Sequence, residues 1–289
     1  MGLLRSFGRA LRARLVFLVA ASVLGLAPMA MAMAHENRRF DSPEAAMNAF
    51  GEAVRSSDEA ALKAMLGAEF RTLIPPVGAD AVERFLRAWE EKHAIQDADD
   101  KIAHVAVGND GWTLPIPLVK AGKGWQFDTR AGAEEMRVRR IGRNELAVLG
   151  VMKGLVAAQQ EYTAKFGSYA TKLRSEPGKQ DGLYWETNAG EPESPAGPMI
   201  AWAEAQGYTP GGAQPAPYRG YYYRRLNVKD PKKEFAILAY PAEYGASGIM
   251  TFVVSQDGTI YHKNLGVDTE KAQQEIKGFA PDDSWTRET

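Results

Sequence analysis

NELAVLGVMKGLVAAQQEYTAKF, residues Asn144–Phe166, sets the architecture of this chain. Val148, Met152, Leu155, Gln159, Tyr162 and Phe166 recur at alternating spacings of four and three residues, which aligns them on one face of an α-helix. Val151 and Val156 widen the apolar sector, and Gly167 follows where a left-handed C-terminal cap is needed. A helix this apolar on one side must bury that side, and the downstream sequence supplies the surface. Tyr221–Leu226, Glu234–Tyr240, Ile249–Val254 and Thr259–Lys263 are short segments rich in β-branched or aromatic residues. Asp257-Gly258 is a hairpin turn between the last two. The pattern predicts a rod lying across a C-terminal antiparallel sheet and shielded by it.

Between rod and sheet, residues 168–218 hold seven of the sixteen prolines, and only Pro198–Gln206 reads as a helix. A loop of that length in a compact domain is either functional or a packed excursion. From Val267 onward a short polar helix is the most the sequence supports, with Trp285 placed to pin the tail.

Upstream, the order is helices and then a meander. Ser42 caps a helix that has Pro43 at its first position and Glu44 in its first turn, with Ala46, Phe50, Ala53 and Val54 on one face. Asp58 caps a second helix that stops at Gly67, and Asp80 with Glu83 has capping-box spacing ahead of Val82, Phe85, Leu86 and Trp89. The period then changes to two. Ile102–Val107, Trp112–Val119 and Trp125–Phe127 read as strands, the middle one at an edge or bulged because Pro115 and Pro117 lack amide donors. The expected fold class is α+β, with a helical-plus-meander module over 35–140, a long-helix-on-sheet domain over 141–266 and a tail over 267–289.

The first 34 residues have a separate character. Arg5, Arg9, Arg12 and Arg14 precede the uncharged apolar run Leu15–Ala30, and Ala32-Met33-Ala34 presents small residues where a signal peptidase cuts. The apolar run is shorter than the ~20 residues that span a bilayer. The expectation is a cleaved signal peptide over 1–34, a periplasmic or secreted location, and no stable transmembrane segment afterwards. Removing those four arginines from 35 basic residues leaves 31 against 36 acidic ones, a net charge near −5. That charge disfavours nucleic acid as a partner, since binding it requires a basic surface that releases counterions. The lack of Cys excludes disulfide scaffolds, thiolate metal sites and cysteine nucleophiles, and with four His no metal or other cofactor is expected.

Two resemblances follow from particular phrases. Phe40-Asp41-Ser42-Pro43-Glu44-Ala45-Ala46, with the short helix after Ser57-Asp58, resembles the start of the nuclear-transport-factor-2-like cone fold. Arg143-Asn144-Glu145-Leu146-Ala147, Gln159-Gln160-Glu161-Tyr162 and Gly167-Ser168-Tyr169-Ala170 resemble the globular part of pilins and pseudopilins, whose helix packs on a meander. Here over a hundred residues precede that helix, so the likeness implies fold and not filament assembly. Taken whole, residues 40–266 resemble a family of exported bacterial proteins, domain of unknown function number 2950. The phrases that carry it are Phe40–Pro43, Pro115–Val119, Arg140–Glu145, Gly178–Trp185, Tyr221–Tyr223 and Pro241–Gly258. That resemblance implies an envelope or secreted location and supplies no catalytic residue.

Candidate chemistry is sparse. Gly245-Ala246-Ser247-Gly248-Ile249 departs from a nucleophile elbow at its fifth position and enters a strand instead of leaving one. Asp97-Ala98-Asp99-Asp100 lacks the glycine and terminal glutamate of a calcium loop. Glu90, His93 and His104 form a loose acid–base candidate. Aromatic residues stand out: Tyr184, Trp185, Trp202, Tyr221 and Tyr223 cluster around the long loop, where flat rings flanked by polar groups suit a glycan or a partner's side chains. Some of those rings are expected to close the core beneath the loop. The expected function is a non-catalytic envelope binding or scaffold protein. The alternative is a periplasmic hydrolase whose pocket lies in the first module, where Asp110, Asp128 or His93 converge.

Overall fold

The structure is a computed structural model, and it describes residues 37–96, 99–188, 190–200 and 216–288. The expected leader over 1–34, Trp202 and most of the expected helix Pro198–Gln206 lie outside the described residues. Asn37–Thr289 form one unit by contact.

The first elements arise where the caps require them. The Ser42 hydroxyl accepts the Ala45 amide at 3.1 Å and opens α1 (Pro43–Arg55). Asp58 accepts the Ala61 amide at 2.9 Å and opens α2 (Glu59–Leu66). A single turn, α3 (Phe70–Leu73), leads to α4 (Ala79–Glu91), which starts from Gly78 without a side-chain cap; Asp80 sits inside its first turn instead of ahead of it. A four-stranded antiparallel sheet follows in chain order: β1 (His93–Gln96), β2 (Ile102–Val107), β3 (Leu118–Ala121) and β4 (Gly124–Phe127). His93 belongs to a strand and not to a helix end, because it pairs with Val107. The expected strand Trp112–Val119 shrinks to its last two residues plus Lys120 and Ala121, and the two prolines leave the stretch before it joined to β2 by isolated bonds. Ala103, Val105 and Val107 point inward as their alternation predicts, against Phe50, Met65, Trp89 and Phe127.

One element links this first core to the second. The Asp128 carboxylate accepts the Ala131 amide at 2.9 Å and opens α5 (Thr129–Phe166), a helix of 38 residues, roughly 57 Å long. It begins well before Asn144 and runs straight through residue 140, the expected module boundary. Pairs Glu134–Arg137 and Glu135–Arg139 support the added turns at helical spacing. Close packing fixes its start: a Cβ on Gly132 would lie 2.8 Å from the Ile116 side chain. Gly167 ends it in the left-handed region at φ 74°.

After α5, a small parallel pair, β5 (Lys172–Arg174) and β6 (Gly182–Tyr184), packs near its C-terminal end. Residues 197–200 are helical. The larger sheet is antiparallel, in the order β11-β10-β9-β8-β7, formed by β7 (Tyr221–Arg225), β8 (Ala236–Pro241), β9 (Met250–Ser255), β10 (Ile260–Asn264) and β11 (Thr286–Arg287). Its inner face sets Tyr221, Ile237, Phe252 and Val254 against Val148, Met152 and Leu155 of α5, as the periodicity predicts. The rod is therefore unbroken and shielded. Gln159, fully buried, accepts the Ala170 amide at 2.9 Å and donates to the Ala170 carbonyl at 3.1 Å. One carboxamide thereby satisfies both backbone groups of the residue that turns away from the cap.

The polar side of α5 grips the loop before β9 in chain order. Arg137 donates to the Gly245 carbonyl, Arg140 to Ala246 at 3.0 Å, and Asn144 to Ser247 at 2.8 Å. Glu145 then takes the Ile249 and Met250 amides, at 2.9 Å each. Arg137 and Arg140 are thus part of a tether.

The outer face of the larger sheet is covered as well. Leu226, Ala236, Leu238 and Val253 pack under Ile276, Phe279 and Trp285 of the C-terminal segment, together with the short helix α6 (Thr269–Glu275). Arg224 fastens that helix. Its Nε donates to Gln273 Oε1 at 2.8 Å and its Nη2 to the Ile276 carbonyl at 2.9 Å, where the last helical carbonyls lack partners.

Candidate functional site

The aromatic set does not assemble on one exposed surface. Tyr221 has no exposure; its hydroxyl donates to the Met250 carbonyl at 2.9 Å and its ring lies 5.9 Å from that of Phe252. Burial, with the Glu145 charge nearby, pushes its phenol far above the ordinary value of 10. Trp185 is buried, with the Lys165 ammonium 5.3 Å from its ring centroid and Phe166 at its edge. Tyr223 shares the inward face of β7; its burial raises its phenol likewise, and its oxygen is buried without a hydrogen bond among the described residues. Tyr184 is half-buried beneath the Arg174 guanidinium at 5.5 Å. Trp202 lies outside the described residues. This burial has a simple cause: β7 belongs to a sheet covered on both faces, so its inward rings fill the core, and Tyr222 on the other side lies against Tyr240, ring centroids 5.6 Å apart and planes tilted by 43°.

The acid–base candidates are occupied by structural work. His93 is stacked on Trp89, centroids 4.7 Å apart, with Nδ1 at 2.7 Å from the Trp89 carbonyl. Asp110 accepts the Trp112 amide at 3.2 Å in a turn, and Asp128 caps α5. Each of the three is engaged in a local contact of its own. Ser247 closes its own turn, accepting the Glu243 amide at 2.9 Å and donating to the Glu243 carbonyl at 3.1 Å. Asp99 accepts the amides of Lys101 and Ile102 at 2.6 Å, which holds its carboxyl below the usual carboxylate range. Among the described residues, no three His, Asp or Glu side chains are grouped to hold a metal. His104 instead lines a cleft of ≈ 330 Å³ between β2 and the start of α5, with Glu135 and Arg139. There Arg139 donates to Glu135 at 2.7 Å and to the Thr113 carbonyl at 2.7 Å.

A cleft larger than this one lies elsewhere, on the outer side of the C-terminal sheet. It measures ≈ 790 Å³, within the roughly 300–1,000 Å³ typical of ligand sites. Phe235, Val253 and Ser255 form its floor, and the segment after β7 and the segment after α6 form its walls. Those walls are zipped together: the Asn227 amide donates to the Lys277 carbonyl at 2.7 Å, and Asn227 bridges Gly278. Phe279 and Trp285 bring aromatic rings, Gln256 a carboxamide, and Lys229, Lys277, Glu234 and Glu275 a charge-balanced rim. Lys263 donates to Ser284 at 2.7 Å and sits 6.0 Å from the Trp285 ring, which steadies that ring at the far end. The sequence carried one signal of this site: two aromatic residues flanking Pro281 in a segment otherwise polar.

Among the described residues, no helix is long and apolar enough to cross a membrane. No curated protein and no solved structure matches the chain. The phrases Arg140–Glu145, Tyr221–Tyr223 and Pro241–Gly258 meet at the tether between α5 and β9. A family model described as "protein of unknown function (DUF2950)" matches residues 37–287, nearly the whole described chain, and the protein belongs to that family.

Proposed function

We propose that this chain is an exported envelope protein that binds a ligand or partner without transforming it, through the cleft on the outer face of the C-terminal sheet. The observation that carries this reading is the ≈ 790 Å³ cavity, with rings on one wall and amide and hydroxyl groups on floor and rim. A site with an apolar body and a few polar groups is the usual form of a binding pocket. Export is supported by the arginine-rich start, the apolar run and Ala32-Met33-Ala34. Two measurements test it. Fractionation with intact mass of the exported product gives a chain starting at His35; a protein retained in the cytoplasm overturns export. A photo-crosslinking residue at Lys277, compared with one at the exposed Val77, yields a specific adduct in the native envelope. Equal labelling from both positions overturns the cleft.

A second reading, a periplasmic hydrolase working from the first module, has one observation in its favour: His104, Glu135 and Arg139 share the smaller cleft. An imidazole beside a carboxylate is equipped for proton transfer. It predicts esterase activity on p-nitrophenyl acetate that disappears in His104→Ala, and activity equal in both proteins rejects it.

A further inference from the structure

We infer that the cleft on the outer sheet face takes a short uncharged saccharide, which presupposes that the cleft is the binding site proposed above. Three features select this chemistry. The floor strand β9 is hydrogen-bonded on both sides, to β8 and to β10, so its backbone has no open edge for an added peptide strand. What the cleft presents is therefore side chains. The rim pairs Lys229 and Lys277 with Glu234 and Glu275, so no excess of either sign attracts a polyanion or a polycation.

Besides Phe235 on the floor, two aromatic residues, Phe279 and Trp285, line the space that Ser255 and Gln256 border. A pyranose has one face of C–H groups and an equator of hydroxyls. The C–H face suits an aromatic ring, and the equator suits a carboxamide and a hydroxyl that both donate and accept. Gln256 is oriented for this, because its Oε1 accepts the Phe235 amide at 3.4 Å and leaves its NH₂ as a donor. Ser255 is 4% exposed, and its hydroxyl donates to Asp257 at 2.9 Å, which leaves its oxygen lone pairs as acceptors.

The test is calorimetric titration of the full chain with cellotetraose, maltotetraose and chitotetraose, and with tetra-alanine as a neutral peptide control. At least one tetrasaccharide binds, and Trp285→Ala weakens it by about tenfold while Trp285→Phe, which keeps a ring, weakens it less. Unchanged circular dichroism secures the fold of each variant; should Trp285→Ala lose it, Phe279→Ala takes its place with the same expectation. Saccharide binding that ignores both rings overturns the inference. Binding of tetra-alanine alone also overturns it but leaves the cleft as a binding site. If no probe binds and the Lys277 crosslinker recovers nothing, both fall together.

Discussion

Glu145 receives the amides of Ile249 and Met250 on the same carboxylate oxygen, each at 2.9 Å, so one side chain midway along α5 sets where β9 begins. Hydrogen bonds to a charged acceptor are the stronger kind, and truncation strands two amides. Glu145→Ala is expected to lower stability by about 2–3 kcal/mol in urea unfolding. Glu145→Gln keeps an acceptor in place and costs less than half as much. Equal losses for the two substitutions would show that charge, and not the paired amides, holds the joint.

Gly248 stands against the Tyr221 ring, and a Cβ there would overlap the phenol oxygen. Gly248→Ala therefore forces a shift in the most buried part of the second core, at a cost of about 2–3 kcal/mol. Removing the hydroxyl with Tyr221→Phe relieves the closest part of the overlap and leaves the ring carbons Cζ and Cε2 in the way, so the double variant loses somewhat less than the sum of its parts. A thermodynamic cycle measured by chemical denaturation checks this, and strict additivity refutes it.

Gln159→Leu preserves volume but leaves the buried Ala170 amide and carbonyl without partners. The expected loss is about 2–4 kcal/mol, with faster amide exchange over Gly167–Ala170. A neutral outcome would mean that water replaces the carboxamide.

Asp181 is held below the ordinary carboxylate range by the Lys172 ammonium at 2.7 Å and then by the Glu176 amide. A folded-state value below the unfolded one stabilises the protein above the unfolded value, near 3.8, and that contribution is lost as pH falls through the folded value. The side chain keeps about a third of its surface in solvent, so screening makes the effect small. Asp181→Asn should flatten the fall in melting temperature between about pH 5 and about pH 2. A curve parallel to that of the wild type would remove Asp181 from the acid response.

The rod and sheet were legible because burial imposes its period on Val148, Met152, Leu155, Gln159 and Tyr162, and those positions do face the sheet. Ser42, Asp58 and Gly167 cap where their chemistry demands. The first fifteen residues of α5 were not legible. Their apolar positions are few, and what supports them is Ile116 against Gly132 and arginines reaching the Gly245–Ser247 loop, contacts distant in sequence. Which of the rings around the long loop turn inward was not legible from composition; Tyr221 and Trp185 lie in the core between α5 and the sheet, whose other face is covered as well. The second cover comes from Ile276, Phe279 and Trp285, in a stretch too polar to announce itself. The cleft escaped notice for the same reason.

Because α5 lends its early turns to one core and its later turns to the other, neither half of the chain owns a complete interior. Heating should consequently produce a single endotherm in calorimetry, with van't Hoff and calorimetric enthalpies in agreement. Severing the chain inside that shared spine would release two fragments that each lack a wall, so neither would fold alone.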